Sequence, residues 1–275
     1  MALTVAQALA EAKVQGMDRL DAQLLLAHAL ERDRSWLLAH DDEPLAPRVA
    51  AGFRAHVLRR AAGEPLAYLV GEKEFHGLTL QVSAGVLVPR PETEGLVDWA
   101  LELLGGGLAG PAPARVLDLG TGSGAIALAV KHAHPAAQVT ALDARTEALA
   151  IAVANAQRTE LDIEFLRGDW WSPVAGRRFH LLLSNPPYIR LGDPHLAALQ
   201  HEPQIALTAG ANGLEALQAI VASAADHLEA GGWLLLEHGH DQAAEVQDLL
   251  HRHGFVEMQT RRDLAGWPRC TGAHR

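Results

Sequence analysis

Asn185, Pro186, Pro187 and Tyr188 follow the apolar run Phe179–Leu183 and carry the strongest chemical signal in the chain. Two prolines suit a buried strand only where it has ended. They fix φ, remove two backbone donors and leave a set of acceptors, namely the Asn185 side-chain oxygen and the prolyl carbonyls. Such acceptors suit a planar NH2 group. Asn185 and the Pro186 carbonyl each take one of its hydrogens, and Tyr188 packs on its flat face. The lone pair of an amide or aromatic amine is delocalised and a poor nucleophile. Holding both hydrogens lets the nitrogen meet a methyl donor in line and lose planarity as the bond forms. No side chain here is a strong general base. None is required before transfer from a sulfonium, because the proton can leave afterwards. Proximity and orientation supply about 7–11 kcal/mol of such a barrier, and fixed dipoles add to this. Asn185, Pro186 and Tyr188 are therefore the candidate catalytic residues, and Asn185, Pro186, Pro187 and Tyr188 the candidate substrate-binding set. The plainer alternative is a rigid exit from a strand.

A second segment, Asp118-Leu119-Gly120-Thr121-Gly122-Ser123-Gly124, stands between a strand pattern and a helix pattern. Glycines there let the backbone turn tightly and approach a ligand, and the amides at the helix start favour an anionic group. Asp143 ends the next strand pattern, where an acid accepts from both hydroxyls of a ribose. Nicotinamide enzymes usually carry G-x-G-x-x-G. Here the spacing is G-x-G-x-G led by Asp118, which can hold the loop or reach an ammonium. S-adenosylmethionine (SAM), with a carboxylate, an ammonium, a ribose and no phosphate, fits better than a dinucleotide.

The elements that position these groups alternate strand and helix from Arg115 onward. Strands are expected at Val116–Leu119, Gln138–Leu142, Ile163–Leu166, Phe179–Leu183, Trp233–Leu236 and Phe255–Thr260. Helices are expected through Val130 and at Thr146–Arg158, Leu214–Leu228 and Ala243–His251. Short continuous apolar strands between helices signal a parallel sheet covered on both faces, an α/β fold. The region 1–71 reads as a small helical bundle, with Thr4 and Gln7 as a capping box and Asp21 as a second cap. Region 72–90 reads as a hairpin linker, and region 91–275 as the catalytic domain.

The sequence has 275 residues, 23 basic against 33 acidic, for a net charge of −10. The apolar content is ample for a core, and the acidic balance disfavours nucleic-acid backbone binding. A lone cysteine, Cys270, excludes an internal disulfide framework and a cysteine zinc cluster. Glu11 and Lys13 interrupt the apolar stretch that a signal peptide would need, and no run is long enough for a membrane helix. A cytoplasmic monomer without membrane association is expected. His132 with His134, His238 with His240 and His251 with His253 lack the i, i+4 spacing of a helical metal site, so no metal is expected.

These motifs, in this order, resemble the HemK/PrmC family of protein-(glutamine-N5) methyltransferases over nearly the whole chain. The resemblance rests on Pro65-Leu66-Ala67-Tyr68-Leu69-Val70-Gly71, Phe75-His76-Gly77-Leu78 and Val88-Pro89-Arg90-Pro91-Glu92-Thr93-Glu94. It continues through the glycine loop, Gly168-Asp169-Trp170, Asn185 to Ile189, Glu202-Pro203 and Asp263 to Gly266. It implies a helical N-terminal substrate-recognition domain, a hairpin linker and a Rossmann-like seven-stranded SAM-dependent methyltransferase domain. It implies methylation of the glutamine in the Gly-Gly-Gln motif of bacterial class-I peptide chain release factors. By resemblance, Gly120, Thr121, Gly122, Ser123, Gly124, Asp143, Trp170 and Asn185 contact SAM, with Trp170 lining the adenine pocket. Asp169 is open between an adenine contact and a solvated acid, Arg90 between anchoring the following helix and orienting the substrate loop, and Glu202 between ordering that loop and a plain surface acid. His238 stands where the family commonly has Ile. The other readings are a DNA adenine-N6 methyltransferase, a glutamine methyltransferase acting on a ribosomal protein and a non-enzymatic scaffold.

Overall fold

A computed structural model describes residues 3–110 and 112–275. The chain divides into two compact units, Met1–Glu72 and Lys73–Arg275. The first unit contains α1 (Val5–Val14), α2 (Arg19–Leu30), α3 (Arg34–Ala39), α4 (Pro47–Ala61) and α5 (Leu66–Val70). Thr4 and Gln7 form the capping box of α1, with Gln7 N–H donating to Thr4 Oγ1 and Thr4 N–H to Gln7 Oε1. The cap of α2 is Asp18, three residues before the expected Asp21. Asp18 Oδ1 accepts from the amides of Leu20 and Asp21. Asp21 already lies in the first turn and pairs with Arg60 at 2.7 Å. Val5, Leu25, Leu26, Leu37 and Phe53 form the core of this bundle. Each fully buried large side chain contributes about 1.5–3 kcal/mol.

The second unit is entered through β1 (Glu72–Phe75) and β2 (Leu78–Gln81). His76 and Gly77 both take positive φ, 48° and 79°, as a tight hairpin turn requires. Phe75, Leu78 and Leu80 are buried with Trp99 and Leu96. The hairpin is thus part of the larger unit's core, and its strands stop at Gln81. The segment 82–90 leads to α6 (Pro91–Gly105), which Pro91 opens at the position that needs no N–H.

The elements that follow are β3 (Arg115–Leu119), α7 (Ala125–Ala133), β4 (Gln138–Asp143), α8 (Thr146–Thr159), β5 (Glu164–Arg167) and β6 (Phe179–Ser184). After them come α9 (Glu215–Ala224), β7 (Leu228–Glu237), α10 (Ala243–Arg252), β8 (Val256–Arg262) and β9 (Pro268–His274). The expected helix Leu214–Leu228 ends early, because a 3-10 turn at Ala225–His227 leads Leu228 into β7. The sheet order is β5-β4-β3-β6-β7-β9-β8. β9 runs antiparallel to both its neighbours. This seventh strand lacks an apolar run, so its sequence alone does not announce it. Its Gly272 is dictated by packing, since a Cβ there would overlap Leu235 and the Trp99 ring.

Leu117 and Leu119 face the core shared with α9 and α10, whereas Val116 faces the core shared with α6 and α7. Register sets Leu119 opposite Leu142 on one side and Ser184 on the other. The chain therefore leaves β3, β4 and β6 side by side at one edge of the sheet. The strand order reverses at β3 and β6, where open α/β sheets place their ligand crevice.

Candidate functional site

The glycine loop leaves β3 through three left-handed residues, Gly120, Gly122 and Gly124, at φ 74°, 56° and 86°. Such a run is open only to glycine without strain. The amides of Gly120 and Thr121 both donate to Leu142 O at 2.9 Å, tying the loop to β4. Thr121 Oγ1 donates to Asp118 Oδ2 at 2.6 Å. Asp118 is fully buried, its Oδ1 makes no hydrogen bond, and it is absent from the cavity wall. Burial raises its pKa from 3.8 to about 7, with the Thr121 hydroxyl and the Ala127 amide opposing the rise. Of the two roles open to Asp118, holding the loop is the one this geometry performs.

Asp143 ends β4 beside the loop. Its Oδ2 accepts from the Gly122 amide at 3.0 Å and its Oδ1 from the Arg145 amide at 2.9 Å. Each carboxylate oxygen can accept two hydrogen bonds and here takes one, so both retain capacity toward a ligand hydroxyl. Trp170 adopts φ 43°, a strained value for a bulky residue, and a Cβ on Gly120 would lie 3.9 Å from its Cζ3.

Gly120, Thr121, Gly122, Ser123, Asp143, Trp170, Asn185 and Pro187 share the wall of one cavity of about 450 Å³, mostly apolar, a size typical of small-molecule sites. Asp169 lies on the same wall. Gly124 does not. It sits behind the loop as the N-cap of α7, where a Cβ would come to 3.0 Å from Leu128 Cδ1 and 3.3 Å from Ala152 Cβ. Its freedom lets α7 close on α8. The wall fits SAM: Asp143 for ribose hydroxyls, an indole for a flat base, and a glycine turn without bulky side chains beside them.

Pro186 and Tyr188 line a second cavity of about 280 Å³, together with Glu92, Glu237 and Arg269. Asn185 lines both cavities and so stands at their join. Its Nδ2 donates to Thr93 Oγ1 at 3.1 Å, which leaves Oδ1 as the acceptor of the pair. Tyr188 is largely enclosed. Its hydroxyl donates to Glu237 Oε1 at 3.4 Å and its carbonyl accepts from Gln242 Nε2 at 3.1 Å. Burial, and then Glu237, raise the Tyr188 pKa, so the phenol stays neutral. Glu237 is buried at 1% exposure, and burial raises its pKa from 4.5 to about 7.

Arg90 and Glu202 form an ion pair, and Glu202 Oε2 accepts from the Val88 amide at 3.1 Å. Glu202 is 7% exposed. The pair fastens the loop after β6, which supplies Ile205, Ala206, Thr208 and Ala209 to the first cavity, to the segment before α6. Arg90 thus orients the loop, and Glu202 orders it. His238 is fully buried with Nδ1 on Gly239 O and Nε2 on Thr271 Oγ1, both at 2.8 Å. Burial lowers its pKa, so the ring is neutral. Among the described residues, no group of three or more His, Cys, Asp or Glu is placed to hold a metal.

Sequence reasoning assigned no role to Thr93, Glu237 or Arg269. Thr93 falls in the quoted Pro-Arg-Pro-x-Thr-Glu stretch, which was the available signal, while Glu237 and Arg269 gave none.

Residues 2–71 match the family described as PrmC N-terminal domain, and residues 93–202 match that described as methyltransferase small domain. The chain is 47% identical over 267 residues to the release factor glutamine methyltransferase of Xylella fastidiosa, covering 96% of each chain. It is 47% identical over 262 residues to that of Bordetella pertussis, covering 94% of this chain and 96% of the relative. Among solved structures, it is similar to the Thermus thermophilus 16S rRNA N2 G1207 methyltransferase, solved with AdoMet and guanosine, with a TM-score of 0.56 at 22% identity. That match covers 74% of this chain and 49% of the other. A methyltransferase from Pyrococcus furiosus gives 0.54 at 18% identity, covering 78% and 98%. At these identities the structures speak for the shared fold.

Proposed function

The chain belongs to the release factor glutamine methyltransferase family, and on that premise we propose that it methylates the side-chain amide nitrogen (N5) of a glutamine in bacterial class-I release factors. The glutamine is that of the Gly-Gly-Gln motif, and SAM is the methyl donor. The observation that carries the reading is the position of Asn185. It stands at the join of the two cavities, on the sheet edge that carries the glycine loop, with its Nδ2 already donating to Thr93.

SAM supplies an electrophilic methyl group that needs no further activation. Asp143 would hold its ribose and Trp170 its base, and the glycine turn would leave room for the rest of the cofactor. The protein's own work is on the acceptor side. Asn185 Oδ1 and the Pro186 carbonyl take the two hydrogens of the glutamine amide, and Tyr188 limits where that amide can lie. Fixed acceptors aimed at the nitrogen stabilise the positive charge that develops there as the bond forms, without reorganising. The proton leaves after transfer. The N-terminal bundle serves recognition of the protein substrate, and the enzyme acts as a cytoplasmic monomer.

The test is incubation with labelled SAM and either a release factor or duplex DNA. Label is expected in the release factor alone. Label confined to DNA would replace this reading with adenine-N6 methylation, which the Asn-Pro-Pro-Tyr chemistry would equally serve.

A further inference from the structure

The chemistry above leaves one buried carboxylate unexplained. Glu237 closes β7 at 1% exposure, lines the second cavity, and its Oε2 makes no hydrogen bond. Its Oε1 accepts from the Tyr188 hydroxyl. The Thr93 hydroxyl favours its charged form, and Thr93 itself accepts from Asn185 Nδ2. Thr93 is 4% exposed. Thr93 on α6, Glu237 on β7 and Tyr188 after β6 thereby cluster beside Asn185, joined by two hydrogen bonds, Asn185 to Thr93 and Tyr188 to Glu237.

We propose that Thr93 and Glu237 are positioning residues: Thr93 bridges Asn185 to the Glu237 carboxylate, and this fixes the Asn185 amide with Oδ1 toward the methyl-accepting nitrogen. The inference rests on the glutamine-amide reading and deepens it. Its logic is proton counting. An asparagine amide fits its site in two orientations, and the wrong one would set an NH2 against the substrate's NH2. A hydroxyl owns one hydrogen. When Thr93 accepts from Asn185, that hydrogen must go elsewhere, and in this proposal it goes to the Glu237 carboxylate, whose buried Oε2 has no other donor. A protonated Glu237 could instead donate to Thr93. The Thr93 hydrogen would then turn toward Asn185 and favour the flipped amide.

The groups facing Glu237 are Thr93 and Glu92 on α6, Tyr188 after β6, and Arg269 and Cys270 on β9, with His238 next in the chain. Arg269 is paired with Asp263 at 3.2 Å and supports the carboxylate. Burial raises the Cys270 thiol and lowers the His238 ring, so both are neutral at pH 7. Burial also brings Glu237 to about 7, inside the range an assay can sweep.

The test measures single-turnover methyl transfer to a release factor against pH, with SAM affinity by calorimetry. It uses the full chain and the variants Thr93→Val, Thr93→Ser and Glu237→Gln. The wild type should show an acidic limb near pH 7. Thr93→Val should slow transfer about 100-fold at pH 8, while its SAM affinity stays within about threefold. Thr93→Ser should restore most of the rate, and Glu237→Gln should lower the rate and erase the acidic limb. Transfer by Thr93→Val within about threefold of wild type would overturn the proposal. So would an acidic limb unchanged in Glu237→Gln, which decides the matter if Thr93→Val does not fold. No transfer by the wild type, with SAM still bound, would remove the glutamine reading itself.

Discussion

The glycine loop and the Asn185 rim meet at one sheet edge but are built by opposite means. The loop is backbone. Its three left-handed glycines, its amide bonds to Leu142 and its Asp118–Thr121 contact all arise within one strand, one turn and the strand beside it. The rim is side chain. Asn185 leans on Thr93 at a sequence separation of 92, and Tyr188 on Glu237 at a separation of 49. A backbone site accommodates any ligand with the right ends, whereas a side-chain network fixes which atom faces the reacting nitrogen. The first suits a methyl donor and the second sets the acceptor.

Substitutions should separate these two contributions. The largest effect is expected for Asn185→Ala, with transfer falling about 100- to 1,000-fold while SAM affinity changes far less. Equal losses in calorimetry and single-turnover assays would show that the rim also builds the donor site. Asp143→Ala should do the reverse. It removes the proposed ribose acceptor and the anchor of Gly122 and Arg145, so the SAM KM should rise about 10- to 100-fold, with a smaller change in kcat at saturation.

Asp118 gives a pH test of the loop alone. Its native pKa of about 7 lies above the unfolded value near 3.8, so the folded state binds its proton more tightly. The resulting stabilisation is complete below pH 4 and is lost as pH rises through 7. Asp118→Asn removes that titration. Urea unfolding at pH 5 and pH 8 should show the variant gaining on wild type by on the order of 2 kcal/mol at the higher pH. A difference independent of pH would mean that Asp118 is not titrating in the folded chain. The smallest effect is expected for Gly124→Ala. Its left-handed backbone costs alanine about 1–2 kcal/mol, with a crowded contact at Leu128 besides. A melting temperature lower by about 3–8 °C with transfer largely intact would confirm Gly124 as support for the loop and no ligand contact.

The same contrast decides what was legible in the sequence. The alternation that builds the sheet, the glycine turn and the capping box at Thr4 are local patterns, and they appear where the residues say. Asp18 and Asp21 both satisfy the residue preference for a helix cap, and only the turn before α2 decides between them. The strand Pro268–His274 stayed hidden because its glycine is imposed by Trp99, far away in the chain. Thr93, Glu237 and Arg269 were not readable as site residues, since each becomes chemical only when α6, β7 and β9 meet the end of β6.

The most direct test of glutamine methylation is mass spectrometry of a release factor after incubation with this protein and SAM. The expected product carries one methyl group on the side-chain amide of the glutamine in its Gly-Gly-Gln peptide, and Asn185→Ala forms it about 100- to 1,000-fold more slowly. An unmodified peptide from wild-type protein that binds SAM, or a methyl group at any other residue, would contradict the account.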